Sequence, residues 1–241
     1  METLTNDRME ATSVTPKNGG ALRNLVESKH SEVEPVELEK QSVKQDQLLD
    51  PARRSRFCIF DPDKLHAIAR RAVGLPHDQM VEFVIAELAR EYPGHIETKQ
   101  DWIFSCAGGA VGVMTLLHGS LSEYLAIFGT AIGTGGFSGR YKIGVYDCVL
   151  AGEMWTFTGD RVGTRVIHKA GDHAYLRPGQ VKGWKFPEAC WLLEYGHGPI
   201  PTSLPFALAD SVFSMMDGET IRKTLRLYGR LVVKELLQAK I

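Results

Sequence analysis

The chain has 241 residues, 44% hydrophobic and 24% charged, which is enough for one domain that buries a core without disulfides or structural metals. The four cysteines, Cys58, Cys106, Cys148 and Cys190, are widely spaced with no CxxC pair, which excludes a zinc knuckle and a secreted disulfide scaffold. Lys and Arg number 28 against 29 Asp and Glu, a net charge of −1, so no global positive field is present to hold nucleic acid.

Residues 1–55 contain no Phe, Trp or Tyr, balance acids against bases, and carry Pro16, Gly19, Gly20, Pro35 and Pro51. Such a segment buries too little apolar area to offset its conformational entropy, so a disordered tail is expected there, with a folded domain over 56–241. The tail lacks the apolar core of a signal peptide, and its acids disfavour a mitochondrial presequence.

Asp61-Pro62-Asp63 reads as a helix start, and Leu65, Ile68, Ala69 and Ala72 follow at helical spacing until Gly74. A second helix is expected from Pro76 to Tyr92, with Met80, Val81, Val84, Ile85 and Leu88 in one stripe and Tyr92-Pro93-Gly94 as its stop. The uncharged run 102–122, WIFSCAGGAVGVMTLLHGSLS, is long enough to span a bilayer, but its glycines, serines and His118 dilute it. It reads as a buried small-residue helix followed by a strand.

From Leu121 to Tyr195 the period is two. YLAIFGTAI, RYKIGVYDCVLAG, EMWTFTG, TRVIHKAG and ACWLLEYG are short, rich in branched and aromatic residues and separated by glycines, the pattern of an antiparallel barrel or jelly roll. GTGGFSG (133–139) lacks the lysine and helix of a phosphate cradle and reads as a turn with positive φ angles. After Pro201 two helices are expected, at 203–215 and 218–239. In the second, Ile221, Leu225, Tyr228, Leu231, Val232, Leu236 and Ala239 form an apolar stripe. Arg222, Lys223, Arg226, Arg230, Lys234 and Lys240 oppose only Glu219 and Glu235, a composition suited to a membrane interface or to capping the barrel.

Two carboxylates break the pattern. Alternation in YKIGVYDCV places Asp147 on the apolar face with Ile143 and Val145, and both faces of ACWLLEYG are apolar, so Glu194 is buried either way. Buried carboxylates are costly unless paired, and a pair sharing a proton supplies one acid and one base for moving a proton on an apolar substrate. The plainer alternative is a structural bond to backbone or to Arg140. Glu123 is a third candidate, better read as a carboxylate tying down backbone N–H groups. His168 and His173 do not have the HxH spacing of a metal-binding jelly roll, so no metal is expected. His66 and His77 read as surface residues, His95 and His118 as structural ones.

The segments LLHGSLSEYLAIFGTAIGTGGFSGRY, YDCVLAGE and CWLLEYGHGPIPTSLPFALADSVFS make the chain similar to the family of fungal sterol C8 isomerases and animal sigma non-opioid receptors, from Phe57 to Leu237. The resemblance implies an α+β fold: a cupin-like antiparallel barrel of jelly-roll type around an apolar cavity, with N-terminal helices, two C-terminal amphipathic helices against a membrane, and often a homotrimer. It puts the ligand-contacting acids at Asp147 and Glu194, with Tyr124 hydrogen-bonded to the glutamate and Glu123 and Arg140 structural. Phe128, Tyr141, Val145, Phe186 and Leu192 are expected to contact substrate alongside Tyr124. Two departures stand out: a charged tail in place of the family's N-terminal membrane helix, and Phe137 where the family's GHSG or GHTG turn has histidine.

The expected activity is a cofactor-independent double-bond isomerisation of a sterol or related isoprenoid, with peripheral attachment to the endoplasmic reticulum membrane through 203–240 and no nucleic-acid partner. The alternatives are a terpenoid cyclase on the same scaffold and a non-catalytic, receptor-like binder of cationic amphiphiles.

Overall fold

The computed structural model describes residues 58–238, so the expected tail lies outside the described residues. Asp61 caps helix α1 (Pro62–Ala72), its side chain accepting from the Asp63 N–H at 3.0 Å, and Gly74 turns the chain out at φ 87°. Helix α2 (His77–Glu91) ends at Tyr92, before Gly94 at φ 86°. Ten strands follow: β1 (Ile103–Ala107), β2 (Ala110–Gly119), β3 (Glu123–Thr130), β4 (Thr134–Phe137), β5 (Gly144–Ala151), β6 (Glu153–Phe157), β7 (Val166–Lys169), β8 (His173–Leu176), β9 (Gly183–Phe186) and β10 (Cys190–His197). A 3-10 turn (Ile200–Ser203) leads into α3 (Leu204–Phe213), and α4 (Gly218–Leu237) closes the described chain.

The strands form two antiparallel sheets, ordered β1-β2-β3-β10-β5-β8 and β4-β9-β6-β7. This is the expected α+β, jelly-roll architecture, built as two sheets around a shared interior rather than one continuously bonded barrel. The larger sheet is covered on both faces. Its outer face packs Leu117, Leu125, Ile127, Tyr146, Cys148, Leu150, Leu193 and Tyr195 against the α1 and α2 stripes. Its inner face turns Leu116, Phe128, Val145 and Leu192 towards the second sheet's Met154 and Trp184. Double coverage explains why strands such as β10 are apolar on both faces.

The run 102–122 is a hairpin, not the expected helix. Gly108 and Gly109 have φ 61° and 87°, and Ala107 pairs directly with Ala110, which is a two-residue turn of the type that matches strand twist. The glycines serve that turn, and the lack of charge reflects burial inside the sheet. GTGGFSG also differs from a simple turn. Gly133 and Gly139 have positive φ, but Thr134–Phe137 between them is strand β4, paired with β9.

The C-terminal helices close the end of the interior. α4 buries Thr220, Thr224, Leu227, Tyr228, Leu231 and Glu235, so its inward face is rotated from the expected stripe. Leu225 and Leu236 stay exposed, next to Val233 and Leu237. Three polar residues, Thr220, Thr224 and Glu235, share that inward face, and buried Glu235 bonds His95 Nδ1 at 2.8 Å, while His118 Nδ1 bonds the His95 carbonyl at 2.9 Å. No helix among the described residues is long and apolar enough to cross a membrane.

Candidate active site

Register decides where the two acids meet. Glu194 on β10 is the direct cross-strand partner of Asp147 on β5, so both carboxyls leave the same face of the sheet, inward, with Cβ atoms about 5 Å apart. They enter a cavity of about 200 Å³, far larger than a single water needs. Its walls are mostly apolar: Met114, Leu116, Phe128, Ile143, Val145, Leu192 and Trp184. Leu204, Phe206 and Leu208 of the α3 segment and Thr220, Thr224 and Tyr228 of α4 form the closing end.

Tyr124 faces Gly196 across the β3–β10 pair, and a Cβ on Gly196 would sit 2.0 Å from the Tyr124 ring. The missing side chain lets the ring lie over β10, where its hydroxyl donates to Glu194 Oε1 at 2.7 Å. Burial and the neighbouring Asp147 charge push the Glu194 carboxyl up to about 7, although the Tyr124 bond and Lys182 pull the other way. Burial, then the Glu194 charge, likewise holds the Tyr124 and Tyr141 hydroxyls well above the ordinary tyrosine range.

The partner of Asp147 is Lys182, its Nζ 2.6 Å from Oδ2, and both side chains are almost wholly buried. Arg140, one of the two partners the plainer structural alternative offered, is exposed instead and donates to the Gly179 carbonyl. Lys182 was legible in principle: alternation backwards from buried Phe186 through Trp184 gives the inward phase. It lies ahead of a short strand in a loop-like sequence, where a lysine reads as solvent-facing.

Five of the six expected contact residues, Tyr124, Phe128, Tyr141, Val145 and Leu192, line the cavity. Phe186 does not. It is fully buried behind Phe128 and Trp184, with ring centroids 6.0 and 4.9 Å away, and supports the wall from outside. Phe137, at the position where the resembling family has histidine, is half exposed at the cavity rim, against Phe206.

Glu123 is completely buried and away from the cavity. It accepts from the Ile59 N–H at 2.7 Å, the Phe60 N–H at 3.4 Å and the Tyr195 hydroxyl at 2.8 Å. The backbone it ties down is the distant segment before α1. Among the described residues no group of three His, Cys, Asp or Glu could hold a metal ion. His168 is buried against Thr156, and burial, reinforced by the Lys182 charge, lowers it to about 4, so it is neutral at physiological pH.

In a dry cavity, two acids in unlike surroundings can give a proton at one point of a ligand and take one at another. The C-8 sterol isomerase erg2 of Aspergillus fumigatus is 40% identical over 78% of this chain and 80% of its own length. The sigma non-opioid intracellular receptor 1 of Gallus gallus is 41% identical over 71% of this chain and 78% of its own. Among solved structures, an RmlC-like cupin from Shewanella frigidimarina shares 17% identity over 42% of this chain and 85% of that one, with a TM-score of 0.35. The model of the family described as ERG2 and Sigma1 receptor like protein matches residues 43–240, and the chain belongs to that family.

Proposed function

We propose that the protein is a cofactor-independent isomerase that moves a carbon–carbon double bond in a sterol or related isoprenoid. One protonated carboxyl of the Asp147–Glu194 pair donates to an olefinic carbon, leaving a carbocation on its neighbour. The other carboxylate removes a proton from the next carbon, and that C–H electron pair becomes the new double bond. The observation that carries the reading is the pair itself: cross-strand partners facing one apolar cavity, one bound to an ammonium and the other to a neutral phenol. Low polarity strengthens the stabilisation of the cation by the adjacent carboxylates. The C-8 sterol isomerases among its relatives support this substrate class.

The reading includes a peripheral seat on a membrane, supported by exposed Val212, Phe213, Met215 and Met216 at the end of α3 and by exposed Leu225, Val233 and Leu236 on α4. Incubating the purified protein with a Δ8-sterol tests the activity. Appearance of the Δ7 isomer is expected, and its absence with active-site-competent protein overturns the reading. The sigma receptor relative favours a second reading, in which Glu194 pairs with a cationic amine without turnover. Amine binding alone does not separate the two, because a protonated amine also mimics the carbocation.

A further inference from the structure

Among the described residues, Lys182 is the only Lys or Arg that lines the cavity. Its place is fixed at the backbone as well as at the ammonium. The Lys182 N–H donates to Ser138 Oγ at 2.9 Å, the Ser138 N–H donates to the Lys182 carbonyl at 3.0 Å, and Ser138 Oγ donates to the Gly139 carbonyl at 3.2 Å. The turn that ends GTGGFSG is therefore a clasp on Lys182, which in turn reaches Asp147 Oδ2 and leaves Glu194 to Tyr124.

Two carboxyls on adjacent strands in a uniform cavity would share one proton with no preferred direction. A cation against one of them removes that symmetry. We propose that Lys182 is a positioning residue: through its ion pair it keeps Asp147 as the proton-accepting carboxylate and so makes Glu194 the proton donor. This rests on the reading of the pair as proton-transfer groups. In the forward step the Glu194 O–H bond breaks as the new C–H bond forms. Asp147 then takes the proton from the carbon beside the cation. Between turnovers the proton passes back from Asp147 to Glu194, which restores the ion pair of Asp147 with Lys182.

The other titratable groups around the three are Tyr124 on β3, Tyr141 ahead of β5, Cys148 on β5, His168 on β7 and Cys190 on β10, with Cys106 of β1 also on the cavity wall, and burial raises all three thiols. The closing helices add Tyr228, pushed up by burial to about 12, and uncharged Ser211, Thr220 and Thr224. Burial holds the tyrosines and Cys190 high and His168 low, so none of these changes charge between about pH 5 and 9. Glu194 is left to report the asymmetry.

The experiment compares wild type with Lys182→Met and Lys182→Arg. Infrared difference spectra follow the protonated carboxyl stretch against pH, assigned by its loss in Glu194→Gln, alongside pH–rate profiles with a Δ8-sterol. In Lys182→Met the two carboxyls should share a proton. Both limbs of the profile should then move to higher pH by about one unit, with kcat falling more than KM changes. Lys182→Arg should restore the wild-type limbs. A Lys182→Met profile that superimposes on wild type after scaling overturns the proposal, as does a neutral-pH protonated-carboxyl signal that persists in Glu194→Gln but vanishes in Asp147→Asn. If Lys182→Met does not fold, Lys182→Gln carries the infrared test with the same outcomes. The spectra need no turnover, so failure of wild type to convert sterol counts against the isomerase reading and leaves the test of Lys182 intact.

Discussion

Asp147 and Glu194 differ in surroundings by one neighbour each, an ammonium against a phenol, and that difference sets the expected behaviour of substitutions. Asp147→Asn and Glu194→Gln keep the carboxyl shape but cannot shuttle a proton. Each should lower turnover by at least about 100-fold with unchanged circular dichroism, measured by sterol product analysis. Glu194→Gln should also change stability, and the sign follows from linkage. Folding raises the Glu194 carboxyl from its ordinary 4.5 to about 7, so the native state holds a proton that the unfolded state has lost. Wild-type stability therefore declines as pH rises through that window and levels off above it. Gln does not titrate, so the variant should gain about 3 kcal/mol on wild type between about pH 4.5 and 7 and keep that gain at pH 8. Denaturant melts at pH 5 and pH 8 check this, and an advantage that shrinks with pH would contradict the account. Inward Asp147 was legible from alternation alone. Its lysine shared the inward phase of Trp184 and Phe186 but was not picked out, because it precedes the short strand in a loop-like stretch where a lysine reads as solvent-facing.

Elements were read well where a local rule was strong and badly where one composition served two structures. The Asp61 cap, the α2 stripe and the strand from Gly144 to Ala151 stand as expected. The run 102–122 misled because doubly covered strands and buried helices are both uncharged; Gly108-Gly109 was the turn signal. That turn is now a test. Gly108→Ala would force φ 61° on a Cβ-bearing residue and place its Cβ 2.1 Å from the Phe137 carbonyl. A loss of about 2–4 kcal/mol is expected in denaturant melts. Glu123 gives a second test, since it joins the segment before α1 to β3 and β10. Glu123→Ala leaves the Ile59 and Phe60 N–H groups and the Tyr195 hydroxyl without their acceptor, and should cost about 3 kcal/mol, with faster hydrogen exchange at both amides. The α4 stripe came out rotated because polar residues, Thr220, Thr224 and Glu235, occupy its inward face. What remains outside, with Phe213 and Met216 of the α3–α4 region, is the surface expected to meet lipid. Phe213→Ser with Met216→Ser should reduce co-sedimentation with anionic vesicles while leaving the melting temperature within a degree or two.

At the scale of the molecule, two sheets and two closing helices surround a cavity whose charged groups, Asp147, Glu194 and Lys182, gather around one cross-strand pair. Family membership was legible because its motifs are long and ordered, and they coincide with the parts that build the site: β3 with Tyr124, β5 with Asp147, β10 with Glu194. The closing surface was less legible, since helical residues contribute to it by angle of packing and not by period. The central claim is that the pair transfers a proton to and from carbon. It is tested most directly by incubating the protein with a Δ8-sterol in D₂O and analysing the product by mass spectrometry. The account predicts a Δ7 product carrying one deuterium on the carbon that was protonated, absent with either Asp147→Asn or Glu194→Gln. Sterol recovered unchanged and unlabelled, from protein that still binds a cationic amine through Glu194, would contradict it.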